Sequence, residues 1–432
     1  MLLASGALLT LCATQAQAAV QIEWWHAMGG ALGEKVEAIA AAFNASQSDY
    51  EVVAVYKGNY TETLNAAIAA FRAGEQPEIV QVFEVGTGSM MAAKGAVYPV
   101  YQLMADMGEP FESSGFLAAV TGYYTDPDGN MLSMPFNSST PVLYYNKNVF
   151  EAAGIDGPPT TWPELAEDAQ KIIDAGLAEC GFTTAWQSWV QIENFSAWHN
   201  LPIGTLSNGF EGLGTEFTID NAQVLRHLTN MHDWSKSGIF EYGGRRGDSQ
   251  GLFTSGHCAM FFNSSAGRAG LLSSVEGFEF GTSMLPYYPD IEGAPQNSII
   301  GGASLWVLAG NDDDQYPGVA KFFSYLSSAE VQADWHQFSG YLPITNAAYE
   351  LTKSQGYYDA NPGADVSISQ MTLNPPTPNS KGLRFGNFVQ IRDIFNEEME
   401  AIWADQKTPE EALEAMITRG NELLRQFESD NG

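Results

Sequence analysis

The sequence predicts a two-lobed α/β protein, each lobe a mixed, mostly parallel sheet flanked by helices. Three observations carry this expectation. The N-terminal third alternates strand and helix patterns in βαβαβ order, which implies a parallel sheet. The chain has 432 residues, more than one hydrophobic core normally serves. A strand adjoining small hydroxyl residues occurs twice, at 138–145 and 258–265, as two crossings between lobes would look.

Taken in order, Met1 to Ala18 carries no charge, has an apolar run at Ala7–Ala13 and ends Ala16-Gln17-Ala18. It reads as an export signal cleaved after Ala18. Its apolar part is too short for a membrane anchor, and Leu11 before Cys12 is too large for a lipoprotein signal. Val20–Trp25 is a strand, and Leu32, Val36, Ile39, Ala40 and Phe43 then share one helical face. Glu51–Tyr56 is a second strand. Thr61 reads as the N-cap of a helix with Leu64, Ile68 and Phe71 inward, and Glu78–Glu84 as a third strand. Open α/β sheets bind ligands beyond the carboxyl ends of their strands, where Tyr60 and Glu84 fall.

Pro135–Lys147, PFNSSTPVLYYNK, sets a hydroxyl cluster against an apolar strand. Thr161 and Glu164 have capping-box spacing at the start of a helix running to about Gly176. Three tryptophans follow at 186, 189 and 198, the last assigned to the core. Cys258–Phe262 is an apolar strand entering Asn263-Ser264-Ser265. Strand patterns return at Phe278–Tyr287 and Leu305–Ala309, around a glycine-rich loop at 299–304. The C-terminal third is helical, over Gly386–Ala404 and Thr408–Phe427, the latter with Thr408 and Glu411 as a second capping box.

Lys and Arg number 19 against 51 Asp and Glu, a formal charge of −32. This balance argues against nucleic acid or anionic membrane as partners, because those need clustered cations. Cys180 and Cys258 remain after signal removal, an even pair in an oxidising compartment, as a disulfide or as two buried thiols. No nucleophile elbow, zinc-protease pair, P-loop or dinucleotide fingerprint occurs, and the six histidines are scattered. The residues therefore point to binding rather than catalysis, with no metal and no cofactor.

Long blocks in order then carry a resemblance: VYKGNY (55–60), QVFEVGT (81–87), PFNSSTPVLYYNK, ENFSAW (193–198), IIGGASLWV (299–307), GYLPIT (340–345) and KGLRFGN (381–387). The mature chain resembles the periplasmic sn-glycerol-3-phosphate-binding proteins, solute receptors of ATP-binding-cassette importers. More distantly it is similar to maltodextrin receptors. The resemblance implies a periplasmic binding protein of the type II solute-binding fold, with lobe 1 at about 19–136 plus 266–328 and lobe 2 at about 137–265 plus 329–432. It implies glycerol-3-phosphate or glycerophosphodiesters such as glycerophosphocholine as ligand. Two membrane permease subunits are the implied partners of a monomer. A sugar receptor of the same fold is the alternative, and a secreted glycerophosphodiester hydrolase a more distant one.

Carried over residue by residue, the ligand site falls on Tyr60, Glu84, Ser139, Trp186, Trp189, Ser264, Gly302, Tyr341 and Arg392. Arg392 would fork onto phosphate oxygens. Ser139, Ser264, Tyr60 and Tyr341 would add neutral hydroxyl donors, and Gly302 a backbone N–H. Glu84 would accept from glycerol hydroxyls on the side away from the phosphate. Trp186 and Trp189 would wall the glycerol or an attached alcohol. Either Ser264 or Ser265 can be the hydroxyl that faces the ligand. Asn137, Ser138 and Thr140 are assigned to the hinge backbone.

Overall fold

The computed structural model describes residues 18–432, so the expected export signal lies, but for Ala18, outside the described residues. Among the described residues there are eleven strands: β1 (Val20–His26), β2 (Tyr50–Tyr56), β3 (Ile79–Phe83), β4 (Val97–Tyr98), β5 (Met134–Ser139), β6 (Pro141–Asn146), β7 (Cys180–Thr184), β8 (Phe240–Glu241), β9 (Cys258–Ser264), β10 (Phe280–Ser283) and β11 (Gly301–Leu308). They form two sheets. The first runs β2-β1-β3-β11-β4, with β5 also paired to β11; the second runs β10-β6-β9-β7-β8.

β1 pairs in parallel with β2 and β3, the expected βαβαβ unit. β7 does the same with β8 and β9. The expectation of mostly parallel sheets holds only for these three-strand cores. β11 runs antiparallel to β3, β4 and β5, and β6 antiparallel to β9 and β10. The physical reason is connectivity. Strands that enter a sheet from the other lobe, rather than through a helical crossover, are free to run against their neighbours.

Helices cover both sheets. The helix Gly30–Ser46 buries Val36, Ile39, Ala40 and Phe43, four of the five residues the periodicity turned inward. Trp198 is buried, its indole N–H donating to the Leu285 carbonyl at 3.0 Å, so its core assignment stands. Both expected capping boxes, Thr161–Glu164 and Thr408–Glu411, are present. The cap before Leu64 is Asn59 rather than Thr61. Asn59 accepts from the Glu62 backbone N–H, and the Glu62 carboxylate accepts from Asn59 N–H. The helix thus starts two residues earlier and makes Tyr60 its first residue. Cys180 and Cys258 lie opposite each other on β7 and β9 and are disulfide-bonded.

The first crossing between sheets is at Thr140, between β5 and β6, as expected. The second is not at 258–265. β9 stays in the second sheet, and the chain returns there through β10, whose Ser283 sits opposite Leu143 of β6. The crossing follows, between Ser283 and Gly301. Thr140 Oγ1 lies 2.6 Å from Ser298 Oγ, which fastens these two crossings together. The expected lobe limits shift accordingly. The segment 266–328 contains a strand of the second sheet, while the helix Ala329–Ser339 belongs with the first. Its Trp335 stacks on Phe136 of β5 at 4.9 Å, because an indole of that size finds its buried place beneath β5 and β1. Among the described residues no helix is long and apolar enough to cross a membrane.

Candidate ligand-binding site

All nine residues expected at the site line one cavity of about 190 Å³ between the two sheets. Chain geometry explains the convergence. Tyr60 opens the helix after β2, Glu84 follows β3, Ser139 ends β5 and Ser264 ends β9. Gly302 lies at the start of β11, and Tyr341 follows the helix Ala329–Ser339. Trp186 stands just past β7, Trp189 begins a π-helical turn (Trp189–Asn194), and Arg392 occupies the second turn of the helix Phe388–Trp403.

Arg392 is the one cation among the lining residues. Its Nε and Nη2 fork onto Glu193 at 2.8 and 2.5 Å, and its Nη1 lies 2.7 Å from Glu84 Oε1. The Arg392, Glu84 and Glu193 side chains are 13, 6 and 0% exposed. This corrects the expected layout, in which Glu84 stood apart from a guanidinium kept for phosphate. A buried guanidinium facing only neutral hydroxyls would lack compensation for its lost hydration, so carboxylates close in on it. Burial raises the Glu84 carboxyl above its usual range and Glu193 adds to the rise, with Arg392 opposing both. For Arg392 burial pulls downward, but the two carboxylates outweigh it and hold the charge in place.

Tyr60 stacks on Phe83 with ring centres 5.3 Å apart. Its hydroxyl accepts from Asn137 Nδ2 at 2.8 Å, and Asn137 Oδ1 accepts from Gln81 Nε2 at 2.7 Å. Gln81 Oε1 in turn accepts from Ala27 N–H at 2.7 Å. With its acceptor side engaged, the Tyr60 hydroxyl keeps its own proton to donate. Asn137 therefore orients a site residue instead of serving only the hinge backbone. Thr140 does hold the hinge, as assigned.

Ser264 lines the cavity and Ser265 does not. The Ser265 N–H is used at the hinge, on the Thr140 carbonyl at 2.9 Å, and both serine carbonyls accept from the Tyr144 hydroxyl. Gly302 has φ +93°, and a Cβ there would sit 1.8 Å from the Asn137 carbonyl oxygen. Glycine is thus required by the backbone as well as by access. At Gly301 a Cβ would strike the Trp189 ring at 2.5 Å. Trp189 is buried with its indole N–H unpartnered by protein, and Trp186 is held at φ 49°, an uncommon conformation for a bulky residue.

Sequence reasoning missed Glu193 and the positioning role of Asn137. The signal for Glu193 was present, since it is the only charged residue from 183 to 198, inside a stretch of tryptophans and neutral polar groups. A lone charge in such surroundings is buried only with a partner.

A cavity at strand ends, set between two α/β lobes and walled by hydroxyls, tryptophans and one compensated cation, is the construction of a two-lobed solute-binding protein. The chain belongs to the bacterial extracellular solute-binding protein family, whose model matches residues 38–364. It is 50% identical over 429 residues to the sn-glycerol-3-phosphate-binding periplasmic protein UgpB of Salmonella typhimurium, covering 98% of this chain and 97% of that protein. The corresponding protein of Yersinia pseudotuberculosis is 51% identical over 428 residues, with the same coverage. Among solved structures, UgpB of Mycobacterium tuberculosis in complex with glycerophosphocholine aligns with TM-score 0.78 at 19% identity, over 95% of this chain and 99% of that one. Maltose-bound MalE3 of T. maritima aligns with TM-score 0.77 at 20% identity, over 94% and 100%. At these identities the structural likeness speaks for the fold, and the resemblance read from the sequence holds.

Proposed function

We propose that this chain is an exported receptor that binds glycerol-3-phosphate and glycerophosphodiesters in the interlobe cleft. It delivers them to the two membrane permease subunits of an ATP-binding-cassette importer. The observation that carries this reading is the buried Arg392, set among the hydroxyls of Ser139, Ser264, Tyr60 and Tyr341. A guanidinium gives geometry-matched donors to phosphate oxygens, and hydroxyl dipoles add donors without further cations. A neutral sugar would need no such charge. The names of the relatives that are half identical over nearly the whole chain support the same ligand class. The protein works as a monomer in the periplasm and makes no covalent change in its ligand. Lobe closure presents the loaded form to the importer.

Titration calorimetry with glycerol-3-phosphate, glycerophosphocholine and maltose tests the reading. Binding of either phosphate ester with no heat from maltose is the expected result, and binding of maltose alone overturns it. Release of choline from glycerophosphocholine by the purified protein would move the chain to the hydrolases.

A further inference from the structure

The charges buried at the site do not balance. Arg392 contributes one positive charge, Glu84 and Glu193 two negative ones, and Arg392 touches both carboxylates at 2.5–2.8 Å. Glu193 is fully buried, and its carboxylate accepts from Arg392 Nε and Nη2 and also from the Ser188 hydroxyl at 3.0 Å. Glu84 belongs to the other wall of the cleft and lines the cavity directly. The remaining groups that face Glu84 are neutral phenols: Tyr60 and Tyr341 in the cavity wall, and Tyr123 and Tyr124 from the helix Ala118–Tyr124. Tyr123 donates to the Glu84 carbonyl at 3.3 Å. No second cation compensates the set among these neighbours.

A phosphate ester entering this cavity adds negative charge to a cluster that already carries a net −1. Like charges forced together in a poorly hydrated site favour uptake of a proton by one of them. We infer that the protein takes up a proton as the ester enters, that the proton lands on the Glu84 carboxylate, and that Glu193 is the positioning residue that makes this uptake necessary. Glu193 holds the Arg392 fork in place while using up its charge. Protonated Glu84 lets go of Arg392 Nη1, freeing that donor for the ligand, and its new O–H can donate to a ligand oxygen. The proton comes from solvent, and no covalent bond to the ligand changes. The burial and the Glu193 charge that already raise the Glu84 carboxyl act in the same direction.

This inference rests on the ligand class proposed above and deepens it, because it sets the charge the site accepts. A phosphodiester carries a single charge and no titratable proton near neutrality. A phosphomonoester has a second ionisation near pH 6 and is mostly a dianion at pH 7 (about two charges). The site therefore favours the diester, and favours the monoester in its singly charged form.

The test is calorimetry of the mature protein with glycerophosphocholine at pH 7.5, in buffers of widely different ionisation enthalpy. The diester cannot take the proton itself, so any proton uptake belongs to the protein. The expected result is a binding enthalpy that scales with buffer enthalpy with a slope of about one proton per ligand. The slope should fall to near zero in Glu84→Gln, read at whatever affinity that variant retains, and should fall in Glu193→Gln, which removes one of the two competing negative charges. A buffer-independent enthalpy in the wild-type protein overturns the inference while leaving the receptor reading intact. A slope that persists in Glu84→Gln overturns the placement of the proton. Absence of heat from both phosphate esters in every buffer overturns the receptor reading and this inference with it.

Discussion

Arg392 reaches across the cleft to Glu84, its Nη1 lying 2.7 Å from Oε1, while the rest of its guanidinium is forked onto Glu193. One side chain thus ties the helix Phe388–Trp403 to the end of β3 in the opposite wall. The contact joins two lobes through a group that a ligand phosphate would also seek. The proposed function gives Arg392 two tasks, holding two buried carboxylates and receiving the ligand.

Arg392→Lys separates these tasks. Lysine keeps the charge but loses the planar fork. Binding of phosphate esters should weaken by about 3 kcal/mol, on the order of 100-fold in Kd, by titration calorimetry. Arg392→Ala should also lower the thermal midpoint, because it leaves Glu84 and Glu193 buried without their partner. An Arg392→Lys protein with wild-type affinity would refute the phosphate assignment.

The two serines at the end of β9 give a sharper contrast. Ser264→Ala removes a hydroxyl that lines the cavity and should weaken binding by about 1–2 kcal/mol, roughly 5- to 30-fold. Ser265→Ala removes a buried hydroxyl that has no partner, while the Ser265 backbone keeps its hinge bonds. Its affinity should stay within about twofold of wild type. Equal losses at both positions would show that the hinge, not the hydroxyl, is being measured.

The elements legible in the sequence were those whose residues repeat a period long enough to stand out. The helix Gly30–Ser46 and the run β1 to β3 are of this kind. β10 falls within the strand read at Phe278–Tyr287, but nothing in its four residues says which sheet it joins, since that depends on pairing with β6 far away in sequence. The hydroxyls of 264–265, which resemble those at 138–140, therefore read as the second crossing. At the site, strand-end logic located Tyr60 and Glu84. Arg392 needed a resemblance, since an isolated arginine in an acidic chain reads as a surface residue. Glu193 was legible only as the one charge from 183 to 198, and the partner that such a buried charge needs, Arg392, lies 199 residues away in sequence.

The Cys180–Cys258 bond joins adjacent strands across a sequence separation of 78 residues. Closing so long a loop in the unfolded chain removes entropy there, so reduction should cost about 2–5 kcal/mol of stability. Guanidinium denaturation with and without reductant checks this, and the midpoint should fall on reduction. Coincident curves would show that the bond contributes nothing to the unfolding step. Saturation binding to the reduced folded protein should be unchanged, because neither cysteine lines the cavity.

Four buried histidines set the acid limit of the fold. Burial holds His26, His199 and His336 at about 4 and His227 well below its usual value, so all are neutral in the native state near pH 7. His227 stacks on Phe195 at 4.1 Å, and its Nε2 lies 3.0 Å from Gln191 Oε1. The unfolded chain binds protons at these positions once the pH drops below about 6.5, while the native state does not. Stability is therefore full above that value and is lost as pH falls from about 6.5 toward 4, with each histidine contributing up to about 1.4 kcal/mol per pH unit. The raised carboxyls of Glu84 and Glu78 act in the opposite sense, because the native state there binds protons that the unfolded chain releases. Denaturation at pH 7.5, 6.5, 5.5 and 4.5 measures the sum. The histidines should win, since four groups with large shifts oppose three raised carboxyls, Asp168 among them. In His227→Gln the slope below pH 6.5 should flatten by the share of one group, whatever the variant does to stability at pH 7.5. A slope identical to wild type would mean that His227 is charged in the folded protein.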